Sequence, residues 1–207
     1  MMRLILASAS PRRAELLRGA GYDFDVVAAD VDESARTGEP PEAYVGRVAA
    51  DKARAVLARF PDAVVVGADT TVVVDDEMLG KPAGEEESRR MLGKLSGRAH
   101  RVLTGVVVAR AGREVCDVVS TQVRFASLTA EDIARYVSSG EPGDKAGGYA
   151  VQGLAARFVE AVDGSYSNVV GLPVPAVRRL LTELGVPPPG GGPGVAPDAP
   201  PPAIDRA

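Results

Sequence analysis

Apolar positions recur along this chain in two rhythms, and the change from one to the other marks out its elements. Leu4-Ile5-Leu6 is a short apolar run, read as a buried strand that ends at Ser8-Ala9-Ser10. Ser10 stands where an N-cap would, and Pro11 occupies the first helical position, where a missing N–H costs nothing. Ala14-Glu15-Leu16-Leu17 carries this helix on until Gly19 and Gly21 stop it. Residues 22–28 alternate enough for a second strand. Pro40-Pro41 opens a long helix through Phe60, with Tyr44, Val48, Ala49, Ala53, Val56 and Leu57 on its apolar face.

The second half follows the same logic. Ala63-Val64-Val65-Val66 is a β-branched run, hence a buried strand, leading into Gly67-Ala68-Asp69-Thr70. Thr71-Val72-Val73-Val74 and Met78-Leu79 flank Asp75-Asp76 as a hairpin. Residues 85–95 read as helix, and residues 102–109 and 115–125 as two long strands joined at Ala111-Gly112. Thr129-Ala130-Glu131-Asp132 resembles a capping box with Asp in place of Glu or Gln, opening a helix to Val137, and residues 175–184 form the last helix. Strands, helices and hairpins interleave without a strict βαβ rhythm, so an α/β fold on a mixed sheet is expected rather than a doubly wound parallel one. From Pro187 the pattern stops: 8 of the 16 prolines fall in the last 21 residues, and a domain over 1–186 followed by a disordered Pro/Gly-rich tail over 187–207 is expected.

Composition narrows the chemistry. Cys116 and His100 are the only residues of their kinds, which excludes an internal disulfide, a Cys/His zinc cage and a two-His metal motif. Cys116, in its strand, reads as a small core residue, and His100, between Arg98 and a strand, as a structural hydrogen-bonding group. The N-terminal apolar stretch is too short for a signal peptide, and no run approaches the roughly 18 residues of a membrane span, so a cytoplasmic protein with no membrane partner is expected. A net charge of -4 gives no hint of a nucleic-acid-coating face, although local Lys and Arg clusters still suit a small anionic substrate.

The usual phosphate and hydrolase signatures are missing: there is no G-x-x-x-x-G-K-[ST] loop, no strand-linked G-x-G-x-x-G, no H-E-x-x-H and no G-x-S-x-G. What remains is a set of polar residues at strand ends. Ser8, Ser10, Arg12 and Arg13 form either an anion seat at a helix N-terminus or a capped surface helix with two solvated arginines. Asp69, after its apolar run, and Glu33, in an acidic loop with Asp30 and Asp32, offer a carboxylate pair of the kind that holds Mg²⁺ together with substrate phosphates. Thr70 reads equally as a strand residue, Lys81 as a solvated loop residue and Lys52 as a helix surface charge. Residues 144–153 are more unusual, because glycines there let the backbone approach a ligand while Lys145 and Gln152 offer polar contacts.

Taken in order, these pieces resemble the Maf family of nucleotide pyrophosphatases. The resemblance is carried by Leu6-Ala7-Ser8-Ala9-Ser10-Pro11-Arg12-Arg13, Val31-Asp32-Glu33, Asp51-Lys52-Ala53, Gly67-Ala68-Asp69-Thr70, Leu79-Gly80-Lys81-Pro82, Leu95-Ser96-Gly97-Arg98, Asp144-Lys145-Ala146-Gly147, Val151-Gln152-Gly153 and Val170-Gly171-Leu172-Pro173. It implies an elongated, twisted mixed sheet with flanking helices, two lobes around a cleft, a fold shared with inosine triphosphate pyrophosphatases. It further implies Mg²⁺ or Mn²⁺ as cofactor, a homodimer, and a small-molecule nucleotide substrate hydrolysed to the monophosphate and diphosphate in a house-cleaning role. Carried over by position, Asp69 is the proton acceptor; Ser8, Arg13, Glu33, Lys52 and Lys81 make the phosphate and metal site; and Arg12, Thr70 and Gln152 set base preference, as in the branch acting on dTTP and UTP. Gly148 and Ala150 depart from the family's usual Ala and Gly. A rival expectation from the same resemblance is a non-enzymatic regulator of septum formation acting through a protein partner.

Overall fold

The computed structural model describes residues 2–190, and the expected disordered tail lies outside the described residues from 191 onward. At the start of that tail Pro189 lies against Gly21, where an added Cβ would come within 3.0 Å of the proline ring.

Strand β1 (Leu4–Ala7) runs into helix α1 (Pro11–Gly19), whose first turn is closed by Ser10, its side chain accepting from the Arg13 N–H. Only Asp25–Val26 of the expected second strand pairs, as β2, so its outer ladder is two residues long. Helix α2 (Pro41–Leu57) buries Val45, Val48, Ala49, Lys52, Ala53 and Val56; Tyr44 and Leu57 sit at the margin of that face, and a lysine occupies its middle. Then come β3 (Val64–Val74), β4 (Glu77–Leu79), α3 (Glu85–Leu95), β5 (Ala99–Arg110) and β6 (Arg113–Phe125). Helix α4 (Ala130–Val137) starts in the full reciprocal capping box between Thr129 and Asp132. Three short 3-10 turns lead to β7 (Val159–Asp163), and α5 (Tyr166–Val170) and α6 (Val174–Glu183) complete the fold. Ser165 caps the start of α5, and β7 has too little alternation to be seen in sequence.

These strands form one mixed sheet of seven in the order β2-β1-β3-β5-β6-β7, with β4 pairing β3 off that path. β1 is parallel to β3, and the pairs β3–β5, β5–β6 and β6–β7 are antiparallel. Residues 67–70, expected to leave the strand, lie in the middle of β3, because Gly67 to Thr70 all pair with β5. Side chains alternate across the strand. Val64, Val66 and Ala68 face α1 and α6, in a core with Leu6, Leu17, Leu172 and Leu180. Val65 faces α2 with Ala49, Ala53 and Val107. Further along, Val72 and Val74 pack with Leu92, Phe125, Tyr136, Tyr149 and Phe158 in a second core under α3 and α4.

Two glycines let α2 lie directly on the sheet. A Cβ on Gly67 would meet the Ala49 carbonyl at 2.2 Å, and one on Gly105 would meet the Val45 carbonyl at 2.3 Å. Close packing of this kind is what brings a short side chain on β3 within reach of a residue on α2. Cys116, expected in the core, is exposed on β6, the strand beyond β5, whose Val107 opposite it is the residue that enters the core under α2.

Candidate active site

The site follows from a gap in the sheet. β3 is bordered on one side by β1, which ends at the pair Ala7↔Gly67, and then by β4, whose ladder begins at Val72↔Leu79. Between those pairs residues 68–71 have no neighbouring strand on that side, and there a cavity of about 470 Å³ opens. That volume lies within the ~300–1,000 Å³ range of small-molecule sites.

Asp69 stands in this gap, on the α2 face of β3, with only 5% of its surface exposed. Lys52, equally buried on α2, donates to Asp69 Oδ1 at 2.7 Å and lies 2.9 Å from Glu33 Oε1. One ammonium therefore draws two carboxylates from separate segments to a common point. The loop bearing Glu33 is fixed from α2: the Tyr44 hydroxyl donates to the Glu33 carbonyl at 3.0 Å, and Arg47 donates to the Ser34 carbonyl at 2.9 Å. Burial raises Tyr44 to about 12, with the charges of Asp69 and Glu33 adding to the effect, so it remains a neutral donor.

The N-terminal junction is more than a capped surface helix, but its two arginines have different uses. Arg13 donates from Nε to the Gly171 carbonyl at 2.8 Å, from NH1 to Ser8 Oγ at 3.2 Å and from NH2 to Thr70 Oγ1 at 3.0 Å. It ties α1 to β3 and to the turn after α5, and burial lowers its proton affinity while Asp69 and Glu33 oppose that change. Thr70 also bonds Thr104 on β5 at 2.9 Å. Arg12 instead reaches across the cleft to Asp144 Oδ2 at 3.1 Å. Lys145 donates to the other oxygen of Asp144 at 2.5 Å and to the Glu141 carbonyl at 2.7 Å. These two cations hold the Asp144 carboxyl below its usual range, Lys145 more strongly than Arg12.

Lys81 is exposed at the cavity wall and, among the described residues, has no ion-pair partner. It follows Gly80, whose carbonyl accepts from the Gly147 N–H at 3.0 Å, so the Lys81 and Lys145 segments are tied together. Gln152 is exposed on the same wall. All ten candidates read from the sequence, Ser8, Arg12, Arg13, Glu33, Lys52, Asp69, Thr70, Lys81, Lys145 and Gln152, line this one cavity. Asp144, Tyr44 and Tyr149 line it as well without having been singled out; Asp144 lay inside the Asp144-Lys145 string, whereas nothing local distinguishes the two tyrosines. His100 is not in the lining: its Nε2 meets the Tyr149 hydroxyl at 2.7 Å in the second core, and it serves structure.

The lining carries five cationic side chains and three acidic ones on a chain whose net charge is -4. Fold and cleft together define an α/β protein with a polyanion-sized site built on a buried carboxylate–ammonium pair. The chain belongs to the family described as Maf-like protein, which matches residues 3–184. A dTTP/UTP pyrophosphatase of Symbiobacterium thermophilum is 52% identical over 187 residues, 90% of this chain and 96% of that protein. Another dTTP/UTP pyrophosphatase, from an Anaeromyxobacter species, is 53% identical over 197 residues, 93% of this chain and 94% of its own. Among solved structures, the Ham1 protein of Staphylococcus aureus aligns with a TM-score of 0.44 at 14% identity, over 60% of this chain and 72% of that one. Among the described residues no helix is long and apolar enough to cross a membrane.

Proposed function

We propose that this protein is a nucleoside triphosphate pyrophosphatase that hydrolyses its substrate to the nucleoside monophosphate and pyrophosphate. The substrate class is dTTP and UTP or modified nucleotides of that kind, and the role is to keep non-standard nucleotides out of nucleic acids. One observation carries the reading: Asp69, paired with Lys52, which also pairs with Glu33, lines a cavity whose walls present Arg12, Lys81 and Lys145. The relatives at about half identity, spanning nearly their whole length, support it.

Chemically, a triphosphate needs its negative charge offset, its α-phosphorus exposed to water, and a base aligned with that water. Arg12, Lys81 and Lys145 bind phosphate oxygens from both sides of the cleft, and a planar guanidinium suits two oxygens at once. Lys52 fixes Asp69 Oδ1, leaving Oδ2 to accept a proton from water directed at the α-phosphorus. Arg13, with three donors engaged by the protein, contributes more by holding Thr70 and the 171 turn in place than by seizing phosphate. Gln152 and Thr70 face the remaining volume, where the base is read.

Glu33 and Asp69 fit a divalent cation: both are hard oxygen donors, and both converge on the Lys52 ammonium. Among the described residues no cluster of three or more metal-ligating side chains exists, which agrees with an ion held partly by substrate phosphates. When bound, Mg²⁺ or Mn²⁺ would offset charge on the departing pyrophosphate. The test is a panel of normal and modified NTPs with Mg²⁺ or Mn²⁺, scored separately for pyrophosphate and orthophosphate. Pyrophosphate from pyrimidine triphosphates is expected, and orthophosphate alone refutes the assignment. Asp69→Asn is expected to lower kcat at least a hundredfold with the fold intact, and near-normal turnover removes Asp69 from the role of base.

A further inference from the structure

The geometry points to Glu141 as a positioning residue for substrate recognition, a clamp that holds the segment bearing Gln152 against the cavity without itself touching the ligand. The inference rests on the proposed pyrophosphatase reading and assigns a further residue to that site.

Glu141 opens the 3-10 turn at Glu141–Asp144, thirteen residues before the turn Leu154–Phe158 begins. Its Oε2 accepts from the Leu154 N–H at 2.9 Å, and its Oε1 accepts from the Tyr136 hydroxyl at 2.9 Å and the Ala155 N–H at 3.4 Å. The first N–H groups of a helical turn have no partner within the turn, so a carboxylate placed there satisfies them. Among the described residues Glu141 has no cationic partner, and these three donors are what hold its side chain. The carboxylate also lies so close to the chain that a Cβ on Gly153 would come within 2.4 Å of Oε1.

Gln152 precedes that glycine. Its segment is pinned at both ends: Tyr149 by His100 at 2.7 Å, and residues 154 and 155 by Glu141. Between the pins the Gly153 N–H donates to the Ala150 carbonyl at 3.1 Å, closing a tight turn with Gln152 inside it. The Glu141 carbonyl meanwhile accepts from Lys145 Nζ at 2.7 Å, so the same residue also orients a cavity cation. Loosening the clamp frees Gln152 at short range while leaving Asp69 and Lys52, on other elements, unmoved.

Glu141→Gln tests this, because the new amide group turns a donor toward one of the existing donors while keeping the side chain's shape. Kinetics of pyrophosphate release would be measured with dTTP, UTP and ATP for wild type, Glu141→Gln, Gln152→Ala, the double variant and Gly153→Ala. Glu141→Gln is expected to raise KM for dTTP and UTP about tenfold, to weaken their preference over ATP, and to leave kcat within about twofold. Gly153→Ala, which displaces the carboxylate sterically, is expected to do the same. In the Gln152→Ala background, Glu141→Gln is expected to change KM less than twofold, since residues acting through one another are not additive. If Glu141→Gln does not fold, Tyr136→Phe removes one of the three donors, with a two- to threefold rise in KM that also vanishes without Gln152. Equal effects with and without Gln152, a loss confined to kcat, or no change in a folded variant overturns the inference while wild-type activity stands. Wild-type protein that turns over no triphosphate overturns the functional reading and this inference with it.

Discussion

Replacing Lys52 with Met separates the two parts that this lysine plays, as a piece of core and as a counter-charge. Methionine has nearly the same stem, so the buried side-chain volume on α2 is retained while the ammonium is lost. The charge matters because both partners of the Lys52–Asp69 pair are buried, each with 8% side-chain exposure, at a separation of 2.7 Å. Glu33, at 47% exposure, can turn to water, and its arm is worth at most ~1 kcal/mol. Asp69 cannot, held as it is in the middle of β3. Removing one partner of a buried pair leaves an uncompensated charge and costs about 3–5 kcal/mol. In a domain of this size each 1 kcal/mol moves Tm by about 2–4 °C, so a fall of roughly 6–20 °C is expected. Urea unfolding at pH 7, followed by circular dichroism, measures the loss directly. The charge explanation adds a stricter requirement: the double variant Lys52→Met/Asp69→Asn must recover a substantial part of it, since the stranded carboxylate is gone. A Lys52→Met protein within about 1 kcal/mol of wild type, or a double variant no more stable than Lys52→Met, refutes the reasoning.

Three further outcomes are expected. Burial holds His100 at about 4 against about 6.5 unfolded, so below pH 6.5 the unfolded chain binds the extra proton first. Its contribution is complete above pH 6.5 and is lost as pH falls toward 4, by roughly 3 kcal/mol in all at ~1.4 kcal/mol per tenfold change in proton affinity. Among the described residues His100 Nδ1 has no partner that could receive a proton's bond, so His100→Gln should show a flatter unfolding profile across that window; parallel profiles count against it. Asp144→Asn removes the counter-charge from Arg12 and Lys145; exposed pairs are worth about 0.2–1 kcal/mol each, so inhibition by pyrophosphate should tighten about two- to thirtyfold, and weaker inhibition would make Asp144 an orienting group instead. Lys81→Ala, removing a cavity cation that has no other partner among the described residues, should weaken triphosphate binding at least tenfold without lowering Tm by more than about 2 °C.

Much of this protein is legible in its order of residues. The Ser10-Pro11 start of α1, the Thr129–Asp132 box, the hairpins at Asp75-Asp76 and Ala111-Gly112 and the valine-rich run of β3 are local signals, because caps, turns and periodicity act over a few residues. The set of polar residues near strands, and the family strings they belong to, pointed to the same ten side chains that line the cavity. What no local signal contained was how those side chains divide the work. Lys52 reads as a surface charge in its helix, yet it is buried because Gly67 and Gly105 let α2 sink onto the sheet. Asp69 reads as a strand-end residue, yet it lies mid-strand, because the vacancy beside it is made by β1 ending early and β4 beginning late. Arg12 and Arg13 are neighbours in a single string, and only the approach of residues 144 and 171 sends one across the cleft and the other into the scaffold. Residue type and spacing determine which elements form; long-range pairing, where a single register decides which backbone edge is left open, determines where the site is.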